Sequence, residues 1–319
     1  MDAFLVSVIV PVYNCEHYID KAIASALQQP EVCEVVVVND GSTDGSETII
    51  KQLQTQNPKI KLYHHPNKIN KGRSATRNLG IQNAIGNYIA FLDADDFYLE
   101  KRFKNDQLIF EKNQEVDGVY NAIGVHFYRD ATSEEREKQR LTTLKKTIEP
   151  NELFEALLYG KYGHFSILGL TIKKAIFKKV GLFNEVLQVA EDTELFFRMS
   201  LICNLFSGIL NEPLAVRGIH DNNVNNDKDL YNIYIPKMYE ALFFWTKNTK
   251  VCGRKIDEIL KLLWLLKYKQ NPKLYQAVNY WQYLFFNNTK YLFSLLSIKY
   301  FPLVRLRQKL FPFLYKSRN

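Results

Sequence analysis

A chain of 319 residues, of which 46% are apolar and 24% charged, is long enough to bury a core and too apolar to be disordered. Its four cysteines are far apart and form no CxxC pair, which argues against a zinc site or a disulfide framework and is typical of a reducing compartment. No apolar run reaches the length of a membrane-spanning helix. Residues 4–13 are apolar but lack a basic flank and a cleavage site, so we expect no signal peptide.

The formal net charge of +8 is unevenly distributed along the chain. Residues 259–319 contain eleven Lys and Arg and neither Asp nor Glu. Removing this +11 from the total of +8 leaves −3 for residues 1–258. The body is therefore mildly acidic, and the C-terminal tail carries all of the excess positive charge.

The first 98 residues alternate apolar runs with stretches of helical spacing. We predict four strands, within FLVSVIVPVYN, CEVVVVNDGSTDGS, KIKLYHH and NYIAFLDADD. Between them we predict three helices, within EHYIDKAIASALQQ, SETIIKQLQTQ and GRSATRNLGIQNAIG, the last closed by Gly86. This alternation predicts an α/β fold with a Rossmann-like, mostly parallel sheet flanked by helices. Ligands of such sheets bind beyond the carboxyl ends of the strands, where the polar clusters YN, NDGSTD and DADD lie.

The pattern is less regular in the second part of the chain. Residues 130–147 are charged and nearly free of large apolar side chains, so we predict a solvated excursion. A helix is expected behind Pro150, and a strand with a short helix within residues 165–185. VAEDTELFFRMSLIC predicts an amphipathic helix that begins with two acids, and residues 212–226 are expected to be extended. After Asp227 the pattern is helical and aromatic.

Three aspartates, Asp93, Asp95 and Asp96, follow the fourth predicted strand. One or two of them would be explained if they capped a helix that starts at Asp95 or Asp96. A cap does not explain Asp93, whose charge would lie near the core. Mg²⁺ or Mn²⁺ explains the cluster better, because these cations are held by one or two carboxylates together with substrate phosphates.

A second polar turn follows the second predicted strand, at Asp40 and Gly41. An ordinary Asx turn would account for these residues by themselves. The functional alternative is a carboxylate that accepts hydrogen bonds from a nucleobase or ribose. The neighbouring Tyr13 could then stack on the base, which is worth about 1–3 kcal/mol.

Five stretches, VSVIVPVYN, VVVVNDGSTDGS, NKGRSATRNLG, AFLDADD and EDTELFFR, together resemble the family 2 glycosyltransferases with the GT-A fold. The resemblance covers roughly residues 5–225. It implies a nucleotide-sugar donor, usually a UDP-sugar, and inversion at the anomeric carbon. It assigns nucleotide-sugar binding to Pro11, Tyr13, Asn14, Asp40, Gly72, Asp93 and Ala94. Within this set Asp93 would face the ribose, while Asp95 would hold the metal as in the family's DxD motif.

The stretch AEDTELFFRM contains the catalytic residues that the resemblance implies. Glu191 and Asp192 could simply favour the positive end of the helix dipole. The family's ED motif instead makes Asp192 the general base that takes a proton from the acceptor hydroxyl. A carboxylate on the face of the sugar opposite the leaving group suits single displacement with inversion. Glu191 would then orient the acceptor or the loop.

Two further residues precede the predicted C-terminal region. His220 is either structural or, as in many family 2 members, a contact to the metal or the diphosphate. Arg217 is either a diphosphate contact or a surface charge, and its setting favours the surface charge.

The basic tail has three possible roles. Its aromatic residues could pack on the catalytic domain while its lysines stay solvated. The segment PLVRLRQKLFPFLYKSRN instead suits peripheral contact with an anionic membrane, where each basic residue adds about 1 kcal/mol. The third possible role is binding to nucleic acid. No recognised binding motif accompanies the charge, so we expect no nucleic-acid partner.

We therefore expect a GT-A catalytic domain over residues 1–225, with a nucleotide-binding half to about residue 98 and an acceptor half over residues 99–225. Residues 226–319 would form a helical, basic region. The expected enzyme transfers a sugar to a glycan or lipid-linked acceptor, in the cytoplasm or on the inner face of the cell membrane. The alternatives are a nucleotidyltransferase and a non-catalytic nucleotide-sugar-binding protein of the same fold.

Overall fold

The computed structural model describes residues 3–221, 228–269 and 273–304. Contacts among these residues divide the chain into two compact units after Lys228. The first unit contains all the strands of the described residues, and the second is helical.

The first unit contains a main sheet and a small second sheet. In chain order the strands are β1 (Val6–Val12), β2 (Val32–Asn39), β3 (Ile60–His64), β4 (Tyr88–Phe91), β5 (Phe97–Tyr98), β6 (Gly118–Tyr120), β7 (Ile123–Phe127), β8 (Leu170–Lys173), β9 (Leu205–Ser207) and β10 (Ala215–Ile219). The main sheet has seven strands in the order β3-β2-β1-β4-β8-β6-β9, and the second has the order β5-β10-β7.

The main sheet is parallel with one reversed strand. Strands β3, β2, β1 and β4 run parallel, as do β6 and β9, whereas β8 is antiparallel to both β4 and β6. The predicted α/β fold class is thus confirmed. All four predicted N-terminal strands are present.

Helices cover both faces of this sheet. The helices of the first unit are α1 (Ile19–Leu27), α2 (Ser46–Gln56), α3 (Arg73–Asn83), α4 (Lys104–Lys112), α5 (Ser133–Lys138), α6 (Pro150–Leu158), α7 (Phe177–Val180) and α8 (Glu191–Ile202). Successive side chains of a strand point to opposite faces, so β2 contributes to two separate cores. Val36 and Val38 pack in a cluster that includes Leu195 of α8, while Val35 and Val37 pack with residues of α1 and α2.

Three local predictions were wrong. Helix α3 ends at Asn83, and Gly86 instead allows close backbone approach, because a Cβ there would lie 2.7 Å from the Leu5 carbonyl oxygen. Residues 130–147 are only partly a solvated excursion, since they contain α5 and the fully buried Leu144. Helix α8 is buried around most of its circumference and is not amphipathic.

The second unit contains four helices in its described residues, α9 (Lys228–Trp245), α10 (Gly253–Tyr268), α11 (Leu274–Asn287) and α12 (Leu295–Tyr300). Its core is aromatic, with Phe243, Phe285 and Tyr300 fully buried. The buried Tyr300 bonds within the unit, because its hydroxyl donates to the Asp257 carbonyl oxygen at 2.9 Å. None of the described helices combines the length and apolar character needed to span a bilayer.

Candidate functional site

The parallel strands β1, β2 and β4 end at the same edge of the main sheet. The segments after β1 and β2 are joined there, because the Asp40 amide donates to the Val12 carbonyl oxygen at 2.8 Å and the Thr43 amide donates to Asn14 Oδ1 at 2.8 Å. Asn14 has a positive φ of 52°, and the side chain of the adjacent Tyr13 is half exposed. Pro11 lies within β1, one residue from its end.

Asp40 is buried and holds a neighbouring loop. Its two carboxylate oxygens accept hydrogen bonds from the backbone amides of Lys71 at 2.7 Å and Gly72 at 3.0 Å. Asp40 as a whole is only 4% exposed. The observed contacts of Asp40 therefore fix the segment that leads into α3.

Gly72 leaves the N-terminus of α3 open. Its φ is +85°, in the region that favours glycine, and a Cβ built on it would meet nothing within 4 Å. The dipole of a helix favours an anionic group at its N-terminus. The sequence prediction placed a nucleotide near this residue.

The aspartates after β4 have separate environments. Asp93 Oδ1 accepts a hydrogen bond from Arg77 Nη2 at 2.7 Å, and its side chain is 27% exposed. Burial alone would raise the pKa of Asp93, but the positive charges of Arg77, Arg73 and Arg217 hold that pKa below its ordinary value. Ala94 is buried beside it.

Asp95 is paired with His220. Asp95 Oδ2 lies 3.0 Å from His220 Nε2, and both side chains are partly buried. Burial, and next the negative charge of Asp93, raise the pKa of the Asp95 carboxyl. The ring of Tyr18 stacks on His220 with ring centroids 5.2 Å apart. The two residues predicted to bind metal are thus in direct contact.

Asp96 connects the two sheets. Its Oδ1 accepts a hydrogen bond from the Gly218 amide of β10 at 2.8 Å. Burial, followed by the charges of Asp95 and Asp93, raises the pKa of Asp96 well above its usual range. The alternative of a helix cap at Asp95 or Asp96 is wrong, because β5 follows and α4 begins only at Lys104.

We expect Gly218→Ala to destabilise the protein, because the added Cβ would lie 2.2 Å from the Asp95 carbonyl oxygen and 2.6 Å from the Tyr128 ring. Overpacking of this kind costs about 1–3 kcal/mol, to be measured by urea denaturation. Gly253→Ala is the matched control, because a Cβ at Gly253 would meet nothing within 4 Å. Equal stability of the two variants would contradict the close approach of β10 to Asp95.

The acids at the start of α8 differ in exposure. Glu191 is buried, and its Oε1 lies 3.1 Å from both Arg73 Nε and Arg77 Nη1. Burial, with a contribution from Asp192, raises the pKa of Glu191 against the two opposing arginines. Asp192 is partly exposed, and its Oδ1 accepts a hydrogen bond from the Thr193 amide at 2.7 Å.

Helix α3 holds the segment that precedes these acids. Asn78 Nδ2 donates to the Phe183 carbonyl oxygen at 3.0 Å, and its Oδ1 accepts from the Phe183 amide at 2.9 Å. Ala190 then adopts a left-handed conformation with a φ of 61° immediately before α8 begins. Asn78 thus anchors the chain at Phe183, and the left-handed residue Ala190 leads directly into Glu191 and Asp192.

Sequence reasoning missed Arg73 and Arg77. Arg77 is 1% exposed and bonds both Asp93, after β4, and Glu191, at the start of α8. It therefore connects the strand edge to the second pair of acids. Two arginines four residues apart in NKGRSATRNLG were the available signal, since residues at this spacing share a helix face.

Arg217 is more than a surface charge. It is partly buried on β10. Its charge helps to hold the pKa of Asp93 below its ordinary value and offsets a small part of the rise in the pKa of Asp96. Arg217 therefore lies near the corner formed by Asp93, Asp95 and Asp96, as it would if it contacted the diphosphate.

Asp95 and His220 could supply two ligands to a divalent cation that takes its further ligands from a substrate. Neighbouring ligands of an octahedral ion with bonds of about 2.1 Å are about 3.0 Å apart. Asp95 Oδ2 and His220 Nε2 are 3.0 Å apart, which in this structure is the length of the hydrogen bond between them and would also let both atoms contact one ion. Among residues 3–221, 228–269 and 273–304, no group of three or more His, Cys, Asp or Glu side chains is arranged to hold a metal, so a complete site would need substrate oxygens.

Comparisons with known proteins agree with this architecture. The sequence profile described as Glycosyl transferase family 2 matches residues 7–177. An uncharacterized glycosyltransferase of Rickettsia typhi is 32% identical over 258 residues, which cover 77% of this chain and 73% of the relative. An uncharacterized glycosyltransferase of Rickettsia felis is 33% identical over 196 residues, but this alignment covers 61% of this chain and only 31% of that longer relative.

Among solved structures, TarS 1-349 of S. aureus in complex with UDP-GlcNAc has a TM-score of 0.62 and 19% identity, covering 96% of this chain and 92% of that chain. At this identity the likeness shows the fold alone.

Proposed function

This chain belongs to glycosyl transferase family 2, and we propose that it moves a sugar with inversion from a UDP-sugar to a hydroxyl acceptor. The observation that carries this proposal is the ion-pair network of Arg77, which bonds Asp93 and Glu191 at once. Arg77 thereby links the carboxyl edge of the strands, where we propose that the nucleotide binds, to the acids of the ED motif. We propose that the two regions form one site. The UDP-GlcNAc complex of TarS supports a UDP-sugar as donor.

The donor side must stabilise a departing diphosphate. Asp95 and His220 would hold Mn²⁺ or Mg²⁺, and the bound cation would neutralise the charge that develops on the leaving group. Arg73 and Arg217 add positive charge beside Asp93. The open N-terminus of α3 at Gly72 favours an anion in the same region. Asp93 would accept hydrogen bonds from the ribose, and Tyr13 would stack on the uracil.

The acceptor side requires a base that can reach an incoming hydroxyl. Asp192 is partly exposed, whereas Glu191 is buried and forms ion pairs with Arg73 and Arg77. We therefore assign proton removal to Asp192 and positioning of the α8 start to Glu191. As Asp192 takes the proton, the hydroxyl oxygen would attack the anomeric carbon on the face opposite the diphosphate. The new C–O bond forms while the bond to the departing UDP breaks, and this single displacement inverts the anomeric carbon.

The acceptor in this proposal is a hydroxyl of a glycan or of a lipid-linked saccharide, and the enzyme works in the cytoplasm. Composition supports contact with the inner face of the cell membrane, because the tail from residue 259 carries eleven basic residues and no acid. Residues 305–319, the main part of the segment predicted to touch a membrane, lie outside the described residues.

The test is a screen of UDP-sugars for UDP release with Mn²⁺ and with EDTA. We expect Mn²⁺-dependent release of UDP from at least one donor, since water replaces a missing acceptor at low rate. A nucleotidyltransferase would instead exchange pyrophosphate into a nucleoside triphosphate. A binding protein would be protected against heat by UDP-sugars without releasing UDP, and either result would overturn the proposal.

We expect Asp95→Ala to weaken UDP binding in the presence of Mn²⁺ by about ten- to a hundredfold, because it removes a ligand of the cation. Isothermal titration with Mn²⁺ and with EDTA measures the effect. The wild type should lose affinity in EDTA, while the variant should bind UDP equally in both. Asp221→Asn, at a side chain 86% exposed, serves as control and should keep the metal dependence. Retained metal dependence in Asp95→Ala would remove Asp95 from the cation site.

A further inference from the structure

The second unit exposes a group of large apolar side chains around α12. We call this group the α12 patch. It consists of Phe286, Phe293, Leu295, Ile298 and Leu303. Phe293 is 96% exposed and Leu295 is 83% exposed. Clustered exposure of this kind is unusual for a surface in contact with water alone and marks an interaction site.

The patch borders an apolar groove of about 430 Å³. Its lining includes Trp281, Phe286, Phe293, Ile298 and Phe301, and polar atoms contribute little of its surface. The groove is thus chemically suited to hydrocarbon.

The exposed side chains project from an ordered framework. Trp281 Nε1 donates to the Ser297 carbonyl oxygen at 2.9 Å. The rings of Trp281 and Phe301 pack edge to face, with their centroids 5.1 Å apart. Tyr291 is buried beneath the turn that presents Phe293. The Ser297 hydroxyl donates to the Leu292 carbonyl oxygen at 2.6 Å. Inward-facing residues therefore hold the turn, and the exposure of Phe293 and Leu295 is built into the local fold.

Charge identifies the partner. Residues 281–319 contain seven Lys and Arg and no Asp or Glu. A chain segment of this composition is complementary to anionic headgroups, and Trp, Phe and Leu beside basic residues are typical of segments that lie in the membrane interface. None of the described helices could span the bilayer, so the contact would be superficial.

We propose that the α12 patch inserts into the headgroup region of an anionic lipid bilayer, with Phe293 and Leu295 as its leading side chains. This surface is distinct from the proposed donor site, and lipid binding requires neither donor nor acceptor.

The test is co-sedimentation of the full chain with vesicles of phosphatidylcholine alone or with 25% phosphatidylglycerol as a probe. We expect binding to the anionic vesicles only. Phe293→Ser and Leu295→Ser should each weaken that binding by at least about threefold, and together by at least about tenfold. Ile85→Ser is the matched control, because Ile85 lies in the first unit and is 75% exposed. It should bind the vesicles like the wild type.

Each other outcome would overturn the proposal. No sedimentation with anionic vesicles would exclude a bilayer as the partner. Binding that is lost in high salt but unaffected by Phe293→Ser and Leu295→Ser would show an electrostatic contact without insertion. A wild-type dimer that Leu295→Ser converts to monomer, without vesicle binding, would show that the patch joins two copies of the chain. UDP release in solution, which Leu295→Ser should leave unchanged, keeps this test separate from that of the proposed function.

Discussion

Asp192→Asn should lower the rate of sugar transfer by about a hundred- to ten-thousandfold, the usual contribution of a general base. The amide keeps the shape of the side chain but cannot take a proton. UDP affinity should stay near that of the wild type, since the proposed donor contacts come from Asp93, Asp95 and His220. Turnover of the donor identified by screening, together with titration of UDP, separates these two effects.

A matched control distinguishes catalysis from helix stabilisation. Glu152 lies in the first turn of α6 and is exposed, so it interacts with a helix dipole as Asp192 would. Glu152→Gln should lose a few tenths of a kcal/mol to about 1 kcal/mol of stability and no transfer activity. If Asp192→Asn and Glu152→Gln behaved alike in transfer, Asp192 would be a helix-start acid and not the base.

Arg77→Met should be the most destabilising of the substitutions considered, by about 3–5 kcal/mol in the free energy of unfolding. Removal of this buried guanidinium would leave Asp93 without its hydrogen-bonded partner and Glu191 with Arg73 alone. Breaking a buried ion pair costs more than the pair contributes, because the remaining charges stay desolvated. Urea denaturation monitored by circular dichroism gives the difference.

Two further variants test the explanation for Arg77. Lys51→Met removes an exposed partner of Glu47 at 2.7 Å and should cost at most about 1 kcal/mol. Arg77→Lys should recover only part of the stability, because an ammonium group cannot reproduce the two separate contacts of a planar guanidinium. A small loss in Arg77→Met, similar to that of Lys51→Met, would show that the network does not hold the two acid pairs together.

The strands next to the site were predictable from their continuous apolar runs. The Val and Ile side chains of β1 and β2 are buried on both faces of the sheet. Continuous apolar runs of this kind are typical of strands in a parallel sheet covered by helices. Order along the chain also placed Asp40 and Asp93 at one edge, because carboxyl ends of parallel strands coincide. The reversal of β8 was not predictable, since it pairs with strands distant in sequence and its LTIK run has no directional signal.

Hydrogen bonds from side chains to distant backbone groups account for the rest of what the sequence did not reveal. Nothing in the sequence indicates that the oxygens of Asp40, which we predict to bind the nucleotide, also accept hydrogen bonds from the backbone amides of Lys71 and Gly72, 31 and 32 residues away. Asp96 resembles a helix cap but bonds Gly218 of another sheet. Such contacts depend on which loops meet in space, and local propensity contains no information about that.

The most direct test of the central claim is a crystal structure of the protein with UDP and Mn²⁺, measured for anomalous scattering. We expect a manganese peak within about 2.3 Å of Asp95 and His220 and of the UDP diphosphate, with Asp192 facing the open side of the cleft. A manganese ion bound elsewhere, or UDP bound with its diphosphate away from Asp95, would contradict the assignment of this corner to the donor.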